Sequence, residues 1–258
     1  MIKKCIYMVL CMYWSGMAAA SPFQVTPMRL ELESGSNIGS VTVFNSGDKP
    51  LDVQVKAKAW SQDQQTGNDV LEPTKELIFF PKIFKIPAHG SQNVRVGYRG
   101  EVAGHERSYR LFIRELPVKK LGLSGAQFVL QISMPVFIYP KGSEKPRTPD
   151  MRGLQVHDGQ LMLEAVNESP RYYSLNKIEL LGKHAGDDVL HDEKAGWYVL
   201  SGATRLFPLG ITQSQCLNMD SLQLTGHVLL AQSKEGDVRK VAFPIDATLC
   251  HQIHKKQK

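Results

Sequence analysis

The 258 residues are balanced in composition, 42% hydrophobic and 22% charged, which excludes a disordered or collagen-like chain and leaves ample length for two ordinary domains. The formal net charge of +6 is too mild and too scattered for a nucleic-acid binder, because Lys3 and Lys4 stand at the start and Lys255, Lys256 and Lys258 at the end. The N-terminus has the layout of an export leader: Lys3 and Lys4, an apolar run from Cys5 to Met17, then Ala18 and Ala20 before Ser21. Cleavage after Ala20 is expected, with a mature protein outside the cytoplasm. The residues before Cys11 do not fit a lipoprotein signal. No later apolar stretch reaches membrane length, so stable membrane insertion is not expected.

From Phe23 onward, short alternating runs are separated by turn residues about every ten positions. The spacing predicts strands over Phe23–Leu32, Ser40–Phe44 and Leu51–Trp60, with a strong turn at Asn45-Ser-Gly-Asp-Lys-Pro50. Gln62 to Asp69 reads as a loop. Strands follow at Leu77–Phe80, Lys82–Ile86, Gln92–Tyr98 and Ser108–Leu116, the last stopped by Pro117. The longest alternation is Ala126 to Ile138, where Phe128, Leu130, Ile132, Met134, Val136 and Ile138 share one face. Such a strand would run about 40 Å, roughly twice the usual length. It is either a central strand buried by the opposite sheet or an edge kept for pairing with another chain.

Tyr139 to Pro149 contains three prolines and mixed charge and reads as a linker. Alternation resumes at Gln160–Val166, Tyr172–Leu181, Gly196–Leu200, Ala203–Leu209, Gln223–Ala231 and Arg239–Ile245. The organisation predicted is therefore a leader at 1–20, a first domain at 21–140, a linker at 141–149, a second domain at 150–250 and a basic tail at 251–258. The fold class is all-β, two immunoglobulin-like β-sandwiches. Cys216 and Cys250 are the cysteines left after the leader, and in an oxidising compartment they are expected to form a disulfide.

Catalytic arrangements are missing from the sequence: no glycine-rich phosphate loop, no Gly-x-Ser-x-Gly elbow and no paired-histidine zinc helix. His251 and His254 belong to a solvated tail, and the patch from His184 to Asp192 reads as a surface loop. No enzyme, cofactor or metal is expected. Two cations invite a role, Arg29 inside the first strand and Arg114 just before Glu115.

Taken together, Val43-Phe-Asn-Ser-Gly-Asp-Lys-Pro-Leu51 with Trp60, Pro87-Ala-His-Gly-Ser-Gln-Asn-Val-Arg95, Tyr109-Arg-Leu-Phe-Ile-Arg-Glu-Leu-Pro117 and the strand ending Val136-Phe-Ile-Tyr-Pro140 resemble the periplasmic chaperones of the chaperone–usher pathway. Val94-Arg-Val-Gly-Tyr-Arg99 and Met134-Pro-Val-Phe137 are most similar to the archaic branch of that family. The resemblance implies two sandwiches set in an L. It also implies donation of the long strand to fimbrial (pilin) subunits that lack one of their own, and delivery to an outer-membrane usher. Phe128, Leu130, Ile132 and Met134 are then the donated side chains. Arg29 matches an arginine that grips the subunit's terminal carboxylate in many members, with Arg114 as a further candidate. Pro135 stands where the usual partner lysine is expected. Glu115 is matched to an interdomain acid, with Tyr139 at the position of its usual arginine and Lys141 or Arg147 as substitutes. An exposed apolar strand in the free protein also invites self-association. The competing readings are a secreted adhesin or carbohydrate-binding protein and a hydrolase assembled from distant residues.

Overall fold

The computed structural model describes residues 23–35, 38–117, 129–143, 150–233 and 236–254. Residues 1–22, Phe128, Arg147 and the last four residues lie outside the described part. Two β-sandwiches follow one another along the chain, as the alternating pattern requires.

In the first, one sheet has the order β1 (Phe23–Thr26), β3 (Ile38–Asn45), β8 (Ser91–Tyr98), β6 (Leu77–Phe80). The facing sheet runs β2 (Leu30–Glu33), β10 (Gln131–Tyr139), β9 (Arg107–Glu115), β4 (Leu51–Gln62), β5 (Asp69–Pro73), with β7 (Ile83–Ile86) also on β4. The predicted first strand is thus two strands, β1 and β2, one in each sheet. The chain changes sheets around Pro27, whose missing N–H cannot support a continuous ladder. Between the sheets lie Val41, Val43, Val53, Val94, Val96, Leu111, Ile113, Met134, Val136 and Ile138, all fully buried. These are the alternate positions of their strands, so period-two patterning sets which face is core.

The second sandwich sets β11 (Asp150–His157), β12 (Gln160–Val166) and β16 (Thr204–Pro208) against β14 (Asp187–Ala195), β13 (Tyr173–His184), β17 (Ser221–Leu230) and β18 (Asp237–Pro244), with β15 (Tyr198–Val199) on β13. The expected surface loop at 184–192 is largely strand β14, an edge whose alternating charges made it look like loop. Two short helices close the domain, α1 (Gln213–Leu217) and α2 (Ala247–His251). Thr212 and Gln215 form a capping box on α1, and Asp246 caps α2. A disulfide between Cys216 and Cys250 joins the two helices across a Cα–Cα distance of 5.5 Å, with both cysteines fully buried. No helix among the described residues is long and apolar enough to cross a membrane.

One turn device is used twice. Asn45, 2% exposed, donates through Nδ2 to the carbonyls of Lys49 (2.8 Å) and Pro87 (2.9 Å) and accepts from the Gly47 N–H (3.0 Å). In the second sandwich Asn167, also 2% exposed, donates to the carbonyls of Arg171 and Val199 (both 2.9 Å) and accepts from the Ser169 N–H (3.0 Å). A buried amide that satisfies three backbone groups fixes each turn. The second of these turns delivers Arg171 and Tyr172 to the junction between the domains.

Candidate functional site: an open strand edge beside an interdomain joint

Strand β10 is paired along its whole length on one side only. Antiparallel pairing with β9 runs from Gln131 opposite Arg114 to Ile138 opposite Arg107. On its other side the parallel partner β2 covers Val136 to Tyr139 and stops. Among the described residues no strand pairs with that side of 131–135, which there form an open edge with backbone groups available for another strand. Along the even-numbered face, burial changes at the same border. Met134, Val136 and Ile138 are fully buried, whereas Leu130 and Ile132 are half-buried at the end of the core.

This division corrects the expectation for Met134. Its side chain fills the protein's own core at 0% exposure and is not available to a partner in this conformation, because β10 still lies under the opposite sheet at that point. Leu130 and Ile132 stand where that cover runs out. Phe128 is outside the described residues.

Arg29 and Arg114 do not converge. Arg29 immediately precedes Leu30, which pairs with Val136, so it sits beside Pro135 at the inner end of the open edge. Arg114 pairs with Gln131 at the outer end, four residues away, or about 13 Å along the strand. Arg114 is exposed, while Arg29 pairs through Nε with Glu31 Oε1 at 2.8 Å and lies 5.8 Å from the Tyr172 ring centroid.

Glu115 likewise lies at the wrong end for an interdomain contact. It is beside Leu130, donating its N–H to that residue's carbonyl at 2.9 Å, and so marks the start of the exposed edge. An acid that does lie at the joint is Glu106, at the opposite end of β9. Its N–H donates to the Pro170 carbonyl at 3.0 Å, and its side chain is 8% exposed. Burial raises the carboxyl to about 8, partly opposed by the Tyr172 N–H and reinforced by the nearby charge of Glu31. Tyr139 does reach across: its ring lies 4.2 Å from the Arg171 guanidinium carbon, and its hydroxyl accepts from Gln232 Nε2. Arg171 also donates to the Ser143 hydroxyl (2.9 Å) and carbonyl (3.1 Å), pinning the start of the linker. Lys141 is exposed in the turn after β10.

The joint itself is aromatic. Phe137, on the odd-numbered face of β10, stacks on Tyr172 with centroids 3.7 Å apart and planes 16° from parallel. Trp60, Leu200, Ala203 and Ala231 complete a small buried cluster with Tyr198 at its margin. Arg110, opposite Pro135 on β9, inserts its guanidinium 3.9 Å from the Trp60 centroid, 5.1 Å from Trp197 and 5.6 Å from Tyr198. Burial lowers the Arg110 pKa, but the ring faces and the charge of Asp69 favour the cation. Gln62 joins the domains like a strand residue: Nε2 donates to the Tyr198 carbonyl (2.8 Å) and Oε1 accepts from the Leu200 N–H (3.0 Å). Asp69 accepts from Arg205 and Trp197, both at 2.8 Å. Sequence reasoning did not find Glu106, Arg110 or Gln62 because their partners lie in the other domain. Phe137 offered a signal, a large aromatic on the mostly polar side of an alternating strand.

Among the described residues, no group of three or more His, Cys, Asp or Glu side chains is placed to hold a metal ion. Residues 22–144 match the family model described as "Pili and flagellar-assembly chaperone, PapD N-terminal domain". No curated protein matches the chain. Among solved structures, the chain is similar to one in the CsuC–CsuE chaperone–tip adhesion subunit pre-assembly complex from archaic chaperone–usher Csu pili of Acinetobacter baumannii. The identity there is 23%, with a TM-score of 0.63, covering 84% of this chain and 97% of the other. It is also similar to a chain of the Salmonella enterica SafA pilin in complex with the SafB chaperone, at 15% identity and TM-score 0.52, covering 86% and 96%. The YadV chaperone gives 14% identity and TM-score 0.57, covering 87% and 100%. These likenesses extend the two-sandwich fold across both domains, and the family matched over the first sandwich is one of assembly chaperones, not of enzymes. The first sandwich is thus a domain of the pili and flagellar-assembly chaperone family.

Proposed function

We propose that this protein is a periplasmic chaperone that stabilises pilus subunits by lending them the outer half of β10 and then delivers them to an outer-membrane usher. The observation that carries the reading is the coincidence of an open backbone edge at 131–135 with apolar side chains emerging from the core at Leu130 and Ile132. A subunit sandwich missing a strand exposes an apolar groove and unpaired N–H and C=O groups. Main chain from β10 satisfies the ladder, and each apolar side chain fully buried in the groove contributes about 1.5–3 kcal/mol. In the sequence Phe128 stands in phase with Leu130 and Ile132 and is the third proposed donor. Two of the similar structures are chaperone–subunit complexes, which supports the same use here, and the archaic assignment follows the Csu likeness.

Arg29, at the inner end of the open edge, is the proposed anchor for the subunit's terminal carboxylate, without the lysine that Pro135 replaces. Export by the N-terminal leader brings the chain to its clients. Release follows when the next subunit's extension replaces β10 with a more complementary strand, a step that needs no nucleotide.

The test is co-expression with the pilus subunits encoded beside it. The wild-type protein should recover an equimolar complex, and Leu130→Asp with Ile132→Asp should lower recovery more than tenfold while the free chaperone keeps its β-sheet circular dichroism. Undiminished recovery by that variant would sink strand donation. Arg29→Ala should lower recovery without unfolding, and full recovery would remove the anchoring role.

A further inference from the structure

We propose that Glu106 makes the joint between the two sandwiches pH-responsive, closed while its carboxyl is protonated and loosened when it ionises. The argument starts from position. Glu106 ends the loop leading into β9, donates its N–H to Pro170 of the second domain and buries its side chain against Tyr172. It therefore touches the second domain through both main chain and side chain.

What surrounds the carboxyl suits a neutral acid better than an anion. From β2 it faces Glu31, whose own charge is engaged by Arg29 and by the Tyr172 hydroxyl. From β9 the Ser108 hydroxyl is at the limit of hydrogen bonding, 3.5 Å. From the turn before β13 it receives the Tyr172 N–H and the field of Arg171, but that guanidinium is committed to Ser143 and Gln232. The adjoining cleft between the domains, about 360 Å³, adds Glu72 and Glu76 to the acids on its wall, with Arg107 as its cation. Glu76 is occupied by the Tyr109 hydroxyl at 2.5 Å. His105 turns away to Ser201, at 2.8 Å.

The direction follows from linkage. A carboxyl at about 8 in the closed joint, against an ordinary value of 4.5 once solvated, binds more protons closed than open between those limits. Opening therefore becomes easier as pH rises, by up to tenfold per pH unit, and levels off above about 8. Acid tightens the joint.

The experiment uses the full mature chain with a fluorophore pair, one dye in each sandwich, scanned from pH 5 to pH 9. Wild type should shift to a broader and longer distance distribution as pH rises, and Glu106→Gln should hold the pH 5 distribution throughout. Infrared difference spectra between the two proteins read the protonation state directly: a protonated carboxyl band in wild type at pH 7, absent from Glu106→Gln. Parallel distance profiles in the two proteins, or a carboxylate band at pH 7, would overturn the proposal. Should Glu106→Gln fail to fold, the infrared band of ¹³C-glutamate wild type, scanned over the same range, decides by itself whether the carboxyl ionises near pH 8 or near its ordinary value.

Discussion

At the scale of single residues, the joint depends on side chains whose neighbours come from the other domain. Phe137 is the clearest. It is fully buried, yet its ring points away from its own sandwich core and lies flat on Tyr172. Truncation would remove the stack on Tyr172 and leave a void between the two domains. Phe137→Ala is expected to cost about 3 kcal/mol in urea unfolding, near the lower end for buried aromatic truncations. Phe84→Ala provides the contrast: this partly buried residue packs on the first core away from the joint and should cost less. Equal losses for the two would mean that Phe137 contributes only ordinary burial. Arg110 is the polar counterpart, a cation held by three aromatic rings, and its planar guanidinium suits that stacking in a way a lysine ammonium cannot.

At the scale of elements, β10 explains both what could be read in advance and what could not. Its even-numbered apolar face is visible in sequence because side chains alternate, and that face is indeed the one turned to the core. The point at which core gives way to open edge is not visible, because it depends on where β2, about a hundred residues earlier, stops pairing. Alternation alone therefore groups Met134 with Leu130 and Ile132, although its side chain lies in the core and theirs lie at its margin. The β14 edge failed differently: Asp187, Asp188, His191 and Asp192 look like loop, but in an edge strand charged side chains are stable and protect against pairing. The boundary in β10 gives a direct prediction. In the free protein, backbone amides on the open side of 131–134 should exchange hydrogen at least tenfold faster than those of 136–138, which are covered on both sides. Uniform protection along β10 would mean that something already covers the edge, self-association being the first suspect.

At the scale of the whole molecule, the question is whether the two sandwiches behave as one unit. Each has its own core, and the second adds a disulfide across a loop of 34 residues, which stabilises it by about 3–4 kcal/mol in the chain-entropy model. Between them the joint combines stacked aromatics, the Gln62 clamp, the Asp69–Arg205 pair and the Arg171 pin. Contacts of this kind couple the unfolding of two domains only while their separate stabilities are similar. Replacing both cysteines, Cys216→Ala with Cys250→Ala, should weaken the second sandwich alone and split a single denaturation transition in two. Trp60 and Trp197 report on the joint from opposite domains, so their fluorescence should change in the earlier transition, when the second domain releases its face of the cluster. Far-ultraviolet circular dichroism would retain the first sandwich until the later one. A single transition moved to lower denaturant, with fluorescence and dichroism still coincident, would show instead that the joint holds the domains together more strongly than the disulfide separates their stabilities.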